Sequence, residues 1–342
     1  MSTPPRRSFP QQPLCPEGVD FLATTFPERA FPPLEAAAES YGRACRRGYA
    51  VMARSRVAIT GLARNLAAVL PLTIRRIETL AGCFADCRVV VFENDSTDGT
   101  RDVLRRWAAA DRRITLSCED CRDPVNPATR CLERADRMAR YRRRCQELVL
   151  DSCGGFAFTI VVDLDMLGGW SIDGLASTFG HDGWDFVGSN GLVLRRRGLA
   201  INHLQQYDTW ALRFDPGLTP LSTVVAAAYV YGRGEPLVPV TSCFGGLGVY
   251  TMAAYAAGRY ETGEIEHATF HRSLRAAGRD RLFLNPSQIV VHGRRHRKGD
   301  RLVEALLQRW EGGCGRRRSR LLVPRAAVPS AAGESPARRA AA

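Results

Sequence analysis

From residue 57 onward, short apolar runs alternate with stretches whose apolar residues recur every three to four positions. Val57–Gly61, Arg88–Phe92, Ile114–Ser117 and Phe156–Val162 have the length and β-branched content of buried strands. Between them, Leu66–Ala81, Arg101–Ala110 and the long, very basic Pro127–Val149 carry helical spacing. Strands that alternate with helices in this way predict an α/β fold, with a mostly parallel sheet and right-handed crossovers. Past residue 170 the pattern is mixed. Short strands are expected at Phe186–Gly188 and Leu237–Ser242, and a helix near Ile265–Ala277. Residues 1–50 are rich in Pro and Ala and end in a predicted helix, Leu34–Arg47. The chain therefore divides into an N-terminal extension (1–50), one α/β domain (51–300) and a basic tail (301–342). The last part of that tail, 312–342, has the Arg, Ala and Pro content of a disordered segment.

Two of the strands end in dense polar clusters. In VVVFENDSTDGT, residues 89–100, the apolar run leads into Glu93, Asn94, Asp95, Ser96, Thr97 and Asp98. Ser96 or Thr97 can cap the helix that follows. Six polar residues before Gly99 exceed what capping requires, and the carboxyl ends of strands in open α/β sheets are where ligands bind. In TIVVDLDMLGGW, residues 159–170, a buried strand ends in Asp163 and Asp165. On an extended backbone the two carboxylates point to the same side, roughly 6–7 Å apart. They repel unless a cation lies between them, which suits a hard divalent ion such as Mg²⁺ or Mn²⁺.

The order VAITGLARN, VVVFENDSTDGT, basic helix, VVDLDM resembles the GT-A class of nucleotide-sugar glycosyltransferases, and FENDSTDGT resembles the loop of its family-2-like members. Later pieces, GSNG, YDTWALR, CFGGLGVY and EHATFH, are similar to the capsule-associated α-mannosyltransferase group and its bacterial relatives. The similarity covers roughly residues 55–293. It implies a GT-A fold with a nucleotide-sugar-binding half (51–165) and an acceptor half (166–300). It also implies that Glu93, Asn94 and Asp95 contact the donor nucleoside, and that Asp163 and Asp165 hold Mn²⁺ or Mg²⁺ against its diphosphate. Glu and Asn stand where many relatives carry paired Asp, which leaves the base open. Arg140, in RMARYRRR, matches a region where relatives place an arginine near the donor; a solvated basic face shared with Arg137 and Arg143 is the alternative. Glu266 falls where inverting members carry the acceptor's general base, and in a retaining enzyme it would orient substrate instead. His292, after the apolar IVV, corresponds to a histidine that completes the metal site in several members.

Gly245 and Gly246 permit a close backbone approach. Trp210 offers a flat face to a sugar, and Asp208 can hydrogen-bond one of its hydroxyls; these four are candidates for the acceptor pocket. TGEIEHATFH lacks the His-Glu-x-x-His order of a zinc protease.

Composition narrows the alternatives. A chain of 342 residues can bury a sizeable core, and 45% hydrophobic with 24% charged residues is ordinary for a globular protein. The net charge of +13 is not ordinary; its arginines cluster at 142–144, 195–197, 294–298 and 316–320 and favour polyanionic partners. No helix-turn-helix, finger or aromatic-interleaved motif accompanies them, so no specific nucleic-acid partner is expected. Peripheral contact with an anionic membrane or a lipid-linked acceptor is the better match. The first residues lack the apolar core of a signal peptide, and the longest apolar stretches, around 57–74 and 221–232, are interrupted or short. With eleven scattered cysteines this points to free thiols in a reducing cytosol. Cys118-x-x-Cys121 has no partner pair at zinc spacing.

The leading expectation is a metal-dependent hexosyltransferase, mannosyltransferase-like by the resemblance, that moves sugar from a nucleotide-diphosphate donor to a glycan, glycolipid or other hydroxyl acceptor in polysaccharide biosynthesis. A sugar-phosphate nucleotidyltransferase would carry a Lys-containing Gly-rich loop where this chain has TGLARN, and a non-catalytic polyanion-binding protein is the third class. If the leading expectation holds, the strands ending in Glu93–Asp95 and Asp163–Asp165 must be near neighbours on one sheet edge.

Overall fold

The computed structural model of the protein describes residues 19–127, 131–197, 201–215 and 231–294. The expected tail at 301–342, most of the apolar run near 221–232 and the arginine cluster at 316–320 lie outside them. Helix α1 (Ala38–Met52) is followed by β1 (Arg56–Ala63), α2 (Leu70–Ala81), β2 (Asp86–Asn94), α3 (Thr100–Ala110), β3 (Ile114–Glu119), α4 (Leu132–Cys153) and β4 (Phe158–Val162). After these come β5 (Gly169–Trp170), α5 (Ile172–Phe179), β6 (Phe186–Arg197), β7 (Ile201–Gln206), β8 (Val238–Pro239), β9 (Leu247–Thr251), α6 (Met252–Ala257), α7 (Glu266–Ala276) and β10 (Leu282–Arg294).

The strands form one sheet in the order β3-β2-β1-β4-β9-β6-β10-β5, with β7 added to β6 and β8 to β10. Strands β3, β2, β1 and β4 are mutually parallel. Strand β9 runs against both β4 and β6, and β6 and β10 are parallel again. The period of two along each central strand feeds two separate cores. Val57, Ile59, Val89, Val91, Ile160 and Val162 pack with Ile77 and Leu80 of α2 and Leu104 and Trp107 of α3. Ala58, Val90, Phe92 and Val161 face the other way, onto Ala139, Cys145 and Val149 of α4. That is why these strands read as unbroken apolar runs: both faces are covered.

Several elements differ from expectation for identifiable reasons. Helix α2 starts at Leu70, with Pro71 in its first turn, rather than at Leu66. Helix α4 starts at Leu132 and ends against Gly154, later at both ends than Pro127–Val149. Gly99 takes the N-cap position of α3, and Asp98, not Ser96 or Thr97, accepts the N–H of Thr100 at 3.0 Å. Ser96 instead accepts the N–H of Asn65 at 3.0 Å, tying the loops after β1 and β2 together. Strand β6 continues through the polar Ser189 and Asn190 because Leu247 O accepts from Ser189 Oγ at 2.7 Å and Pro286 O from Asn190 Nδ2 at 3.2 Å.

Helix α1, read as the end of an extension, is packed into the body of the molecule. A Cβ at Gly48 would lie 1.6 Å from Ala176 O of α5, and one at Gly180 would lie 2.0 Å from Ala44 O. The described residues form a single compact unit. Among the described residues no helix is long and apolar enough to cross a membrane.

His271 of α7 is fully buried, with Nδ1 2.9 Å from Ser242 Oγ and Nε2 3.0 Å from the Tyr250 hydroxyl. Burial lowers its pKa to about 3. Unfolding restores the ordinary value near 6.5, so between those limits the unfolded chain binds a proton that the folded chain does not. The stabilisation is fully present above pH 6.5 and is lost as pH falls; at pH 4.5 the loss is about 2.7 kcal/mol. Urea unfolding at pH 7 and pH 4.5 should therefore show a larger acid loss in the parent than in His271→Gln, and equal losses would refute the neutral, buried assignment.

Candidate active site

Register places the polar strand ends together. Ala63 pairs with Glu93, Asn94 with Glu119 and Thr60 with Val161, so β1 to β4 deliver their carboxyl ends to one edge. Only β1 separates β2 from β4. The two acidic clusters are therefore two strand spacings apart, about 10 Å.

At the end of β2, Glu93 is fully buried and committed to the protein. Arg101 Nε donates to one of its oxygens, and the N–H of Ser96 donates to the other at 2.9 Å. It braces the loop and presents no surface to a ligand. Asn94, also buried, donates from Nδ2 to Asp95 Oδ2 at 2.9 Å. Asp95 adopts φ +52°, in the left-handed region that Asp and Asn tolerate better than most side chains. Its carboxylate accepts the N–H of Arg122 at 2.9 Å and of Asp123 at 3.2 Å. Against the opposing effect of burial, these bonds and that from Asn94 hold it below the usual carboxylate range.

Asp123 in turn accepts from Arg140 Nη2 at 3.1 Å and from the Tyr141 hydroxyl at 2.7 Å. The structure thus places Arg140 beside Asp95 rather than beside Asp163. Arg137 donates to Asn126 Oδ1 at 2.7 Å, and Arg143 Nη2 to Tyr260 O at 2.6 Å. Asp95, Cys121 and Asp123 have ligand atoms within 4.8 Å of one another, but both carboxylates are engaged in the loop bonds just described.

The end of β4 is built differently. The strand stops at Val162, and Leu164 and Asp165 lie in a turn, so the extended spacing expected for Asp163 and Asp165 does not hold. Asp163 faces a cleft and Asp165 is exposed to solvent. The N–H of Asp163 donates to Gly246 O at 2.9 Å. Its Oδ1 accepts from Arg142 Nη2 at 2.7 Å, while Arg142 Nε lies 3.4 Å from Glu266 Oε1. Arg142 is 4% exposed, and its guanidinium sits 5.0 Å from the centre of the Phe244 ring. Burial pushes the carboxyls of Asp163 and Glu266 up, and Arg142 opposes the shift in each.

Arg142 is the site residue that motif reasoning missed. Its signal was present in the pattern: Ala135, Ala139, Arg142, Gln146, Val149 and Cys153 form the buried stripe of α4, and a charge on such a stripe needs buried partners.

The cleft brings together Asp163, Asp208, Trp210 and Glu266 with Arg134 and Arg142. Asp208 accepts the N–H of Ala211 and of Gly245, each at 3.2 Å, and Trp210 packs against Ile265 and Ala268. Gly245 and Gly246 have φ +70° and +91°; a Cβ on the first would lie 2.2 Å from Ser189 O and on the second 2.7 Å from Met166 Sδ. Their role is to seat the turn before β9 between β6 and the loop after Asp165. Of TGEIEHATFH, Ile265, Glu266 and His267 line the cleft; Glu264 pairs with Arg213 at 2.9 Å. His292 is stacked on Tyr207 at 4.0 Å between ring centres, near enough for its charge to lower the Asp163 carboxyl. Among the described residues, Asp163, Asp165 and His292 do not bring ligand atoms within 4.8 Å of one another.

No family model matches the chain, and no curated protein does. Glycosyltransferases are among the solved structures to which it is similar. The mannosyltransferase PcManGT from Pyrobaculum calidifontis, in complex with GDP-Man and Mn²⁺, aligns over 75% of this chain and 64% of its own, at 15% identity and a TM-score of 0.41. GalNAc-T7 with UDP, GalNAc and Mn²⁺ aligns over 70% of this chain and 44% of its own, at 12% identity and a TM-score of 0.43. Glucosyl-3-phosphoglycerate synthase from Mycobacterium tuberculosis, with Mn²⁺, UDP and phosphoglyceric acid, aligns over 75% and 77%, at 15% identity and a TM-score of 0.40. The chain thus spans less than two thirds of the first two of these proteins.

Proposed function

We propose that this chain is a metal-dependent GT-A glycosyltransferase that moves a sugar from a nucleoside diphosphate donor to a hydroxyl acceptor. The observation that carries the proposal is the charge balance at the end of β4. Asp163, Asp208 and Glu266 line the cleft with Arg134 and Arg142, and Asp165 feels the same two arginines, so four carboxylates against two guanidiniums leave two formal negative charges around the end of β4. A hard dication fits that excess and that all-oxygen donor set. Asp163 Oδ2 and Asp165 would hold it, with His292 nearby. When bound, Mn²⁺ or Mg²⁺ would neutralise the diphosphate and stabilise the charge that develops on the leaving group.

The chain's own residues supply the rest. Asp95, fixed by the N–H groups of Arg122 and Asp123, and Asn94, bonded to Asp95, are the contacts for the donor nucleoside, with Arg140 beside them. Arg142 holds Asp163 in place and keeps Glu266 within the cleft. Trp210 offers its ring to the acceptor sugar, and Asp208 fixes the backbone beneath it. Glu266 lies in a site where burial strengthens its hold on a proton, which suits removal of the acceptor hydroxyl's proton in an inverting reaction; in a retaining one it orients the acceptor. The arginine excess of the sequence would favour an anionic membrane or a lipid-diphosphate acceptor, as a cytosolic enzyme of polysaccharide synthesis would need.

A screen of nucleotide sugars with Mn²⁺, by thermal shift and by donor hydrolysis, tests the proposal. A true donor at a hundred times its dissociation constant should stabilise the fold by about 2.7 kcal/mol, and excess chelator should stop its hydrolysis. Turnover unaffected by chelator would reject the metal, and a screen with no stabilising nucleotide would reject the transferase.

A further inference from the structure

Helix α2 presents Thr73 and Arg76, three residues apart and so on one face, to the loop that carries Asp165. Thr73 Oγ1 donates to Leu164 O at 2.9 Å. Arg76 Nη1 donates to Met166 O at 3.0 Å and to Leu167 O at 2.8 Å. These three carbonyls bracket Asp165. The other arm of the same guanidinium, Nη2, donates to Phe21 O at 2.8 Å and to Ala23 O at 2.7 Å.

Arg76 is 4% exposed and forms no ion pair among the described residues; four carbonyls hold its two Nη groups. Asp20 is near enough for its charge to act on the guanidinium but makes no ion pair with it, and a buried cation held mainly by neutral acceptors is a costly arrangement. The planar fork of arginine can meet four acceptors at once, and lysine's single ammonium cannot reproduce that geometry.

The loop is shaped around this group. Gly169 has φ +70°, and a Cβ on it would lie 2.8 Å from Arg76 Cζ. On the opposite side, a Cβ on Gly168 would lie 2.4 Å from Val291 Cγ1, one residue from His292. The two glycines of LGGW thus let the loop pass between the Arg76 guanidinium and β10.

We infer that Arg76 is the positioning residue of the metal site: it clamps the loop bearing Asp165 and makes residues 21–23 of the N-terminal segment part of that site's support. This inference rests on the proposed metal role of Asp163 and Asp165. Positioning groups behind metal ligands typically change affinity about 10- to 100-fold when removed.

The test is an EPR titration of Mn²⁺, alone and with UDP or GDP, on the full-length parent, Arg76→Met, Arg76→Lys and Thr73→Val, with circular dichroism and melting curves in parallel. Arg76→Met is expected to weaken Mn²⁺ binding about 10- to 100-fold, with Arg76→Lys and Thr73→Val intermediate. A folded Arg76→Met chain that binds Mn²⁺ like the parent overturns the inference. Should that variant not fold, Thr73→Val decides, and parental affinity in it overturns the inference equally. A parent that binds no Mn²⁺ removes the proposed metal site itself, whereas binding that none of the three variants changes removes only the role of Arg76.

Discussion

Replacing Arg142 with methionine should destabilise the protein by about 3–5 kcal/mol and abolish any turnover that the cleft supports. The guanidinium is 4% exposed and lies between two carboxylates, Asp163 at 2.7 Å and Glu266 at 3.4 Å. Methionine fills much of its volume, so the cost arises from the carboxylates left behind rather than from a cavity. Two negative groups, Glu266 buried and Asp163 at the edge of the cleft, would then face each other, and at least one would have to take up a proton to stay in place. The consequence is specific: Glu266→Gln, added to the Arg142→Met chain, removes one of the stranded charges and should recover part of the lost stability. Urea unfolding of the two single variants and the double variant supplies the cycle. A loss below about 1 kcal/mol in Arg142→Met, the range of exposed pairs, would mean that the bridge carries little, as would simple additivity with Glu266→Gln.

Replacing Asp163 with asparagine should separate the two ends of the proposed donor site. Asparagine keeps an oxygen for Arg142, and its backbone N–H still reaches Gly246 O, so the fold should survive. What disappears is a charge needed to hold the dication. A diphosphate brought to the remaining carboxylates without that cation meets like charges; at 4 Å and an effective dielectric near 20, each such pair costs about 4 kcal/mol. Nucleoside diphosphate binding should therefore weaken by about three powers of ten, while the free nucleoside, held some 10 Å away at Asn94 and Asp95, should bind nearly as before. Asp95→Asn should weaken both. Calorimetry with and without Mn²⁺ measures all of these. Diphosphate binding in the parent that is indifferent to Mn²⁺ would refute the shared site, as would an Asp163→Asn chain that binds diphosphate normally.

The parts of this protein legible in its sequence are those governed by local periodicity. Val57–Gly61, Arg88–Phe92 and Phe156–Val162 each lie within or overlap an observed strand, because a strand covered on both faces has no choice but to be apolar throughout. The acidic residues at their ends are legible for the same reason: a carboxylate directly after a buried strand stands at the sheet's carboxyl edge. The short strand β9 and the full length of β6 were not legible. Gly245 and Gly246 hide the start of β9 behind a turn, and the polar Ser189 and Asn190 sit in β6 only because distant carbonyls accept their hydrogen bonds.

The division of labour among the polar residues was decided by tertiary structure. From sequence, Glu93, Asn94 and Asp95 are equivalent neighbours, and Arg140 and Arg142 are two members of one basic run. In the fold, Arg101 claims Glu93 as an internal brace, and Asp123 draws Arg140 to the β2 end. Arg142 falls on the buried stripe of α4 and meets Asp163 and Glu266, residues 21 and 124 positions away in the chain. Residues 19–28, which composition sets apart, are held by the buried charges of Arg76 and Arg233. The sequence by itself determined that the central strands form and which of their ends are acidic, since burial imposes a period that a short window can display. Which charge meets which partner was left to the fold, because a buried ion pair depends on distances between segments that no local period records.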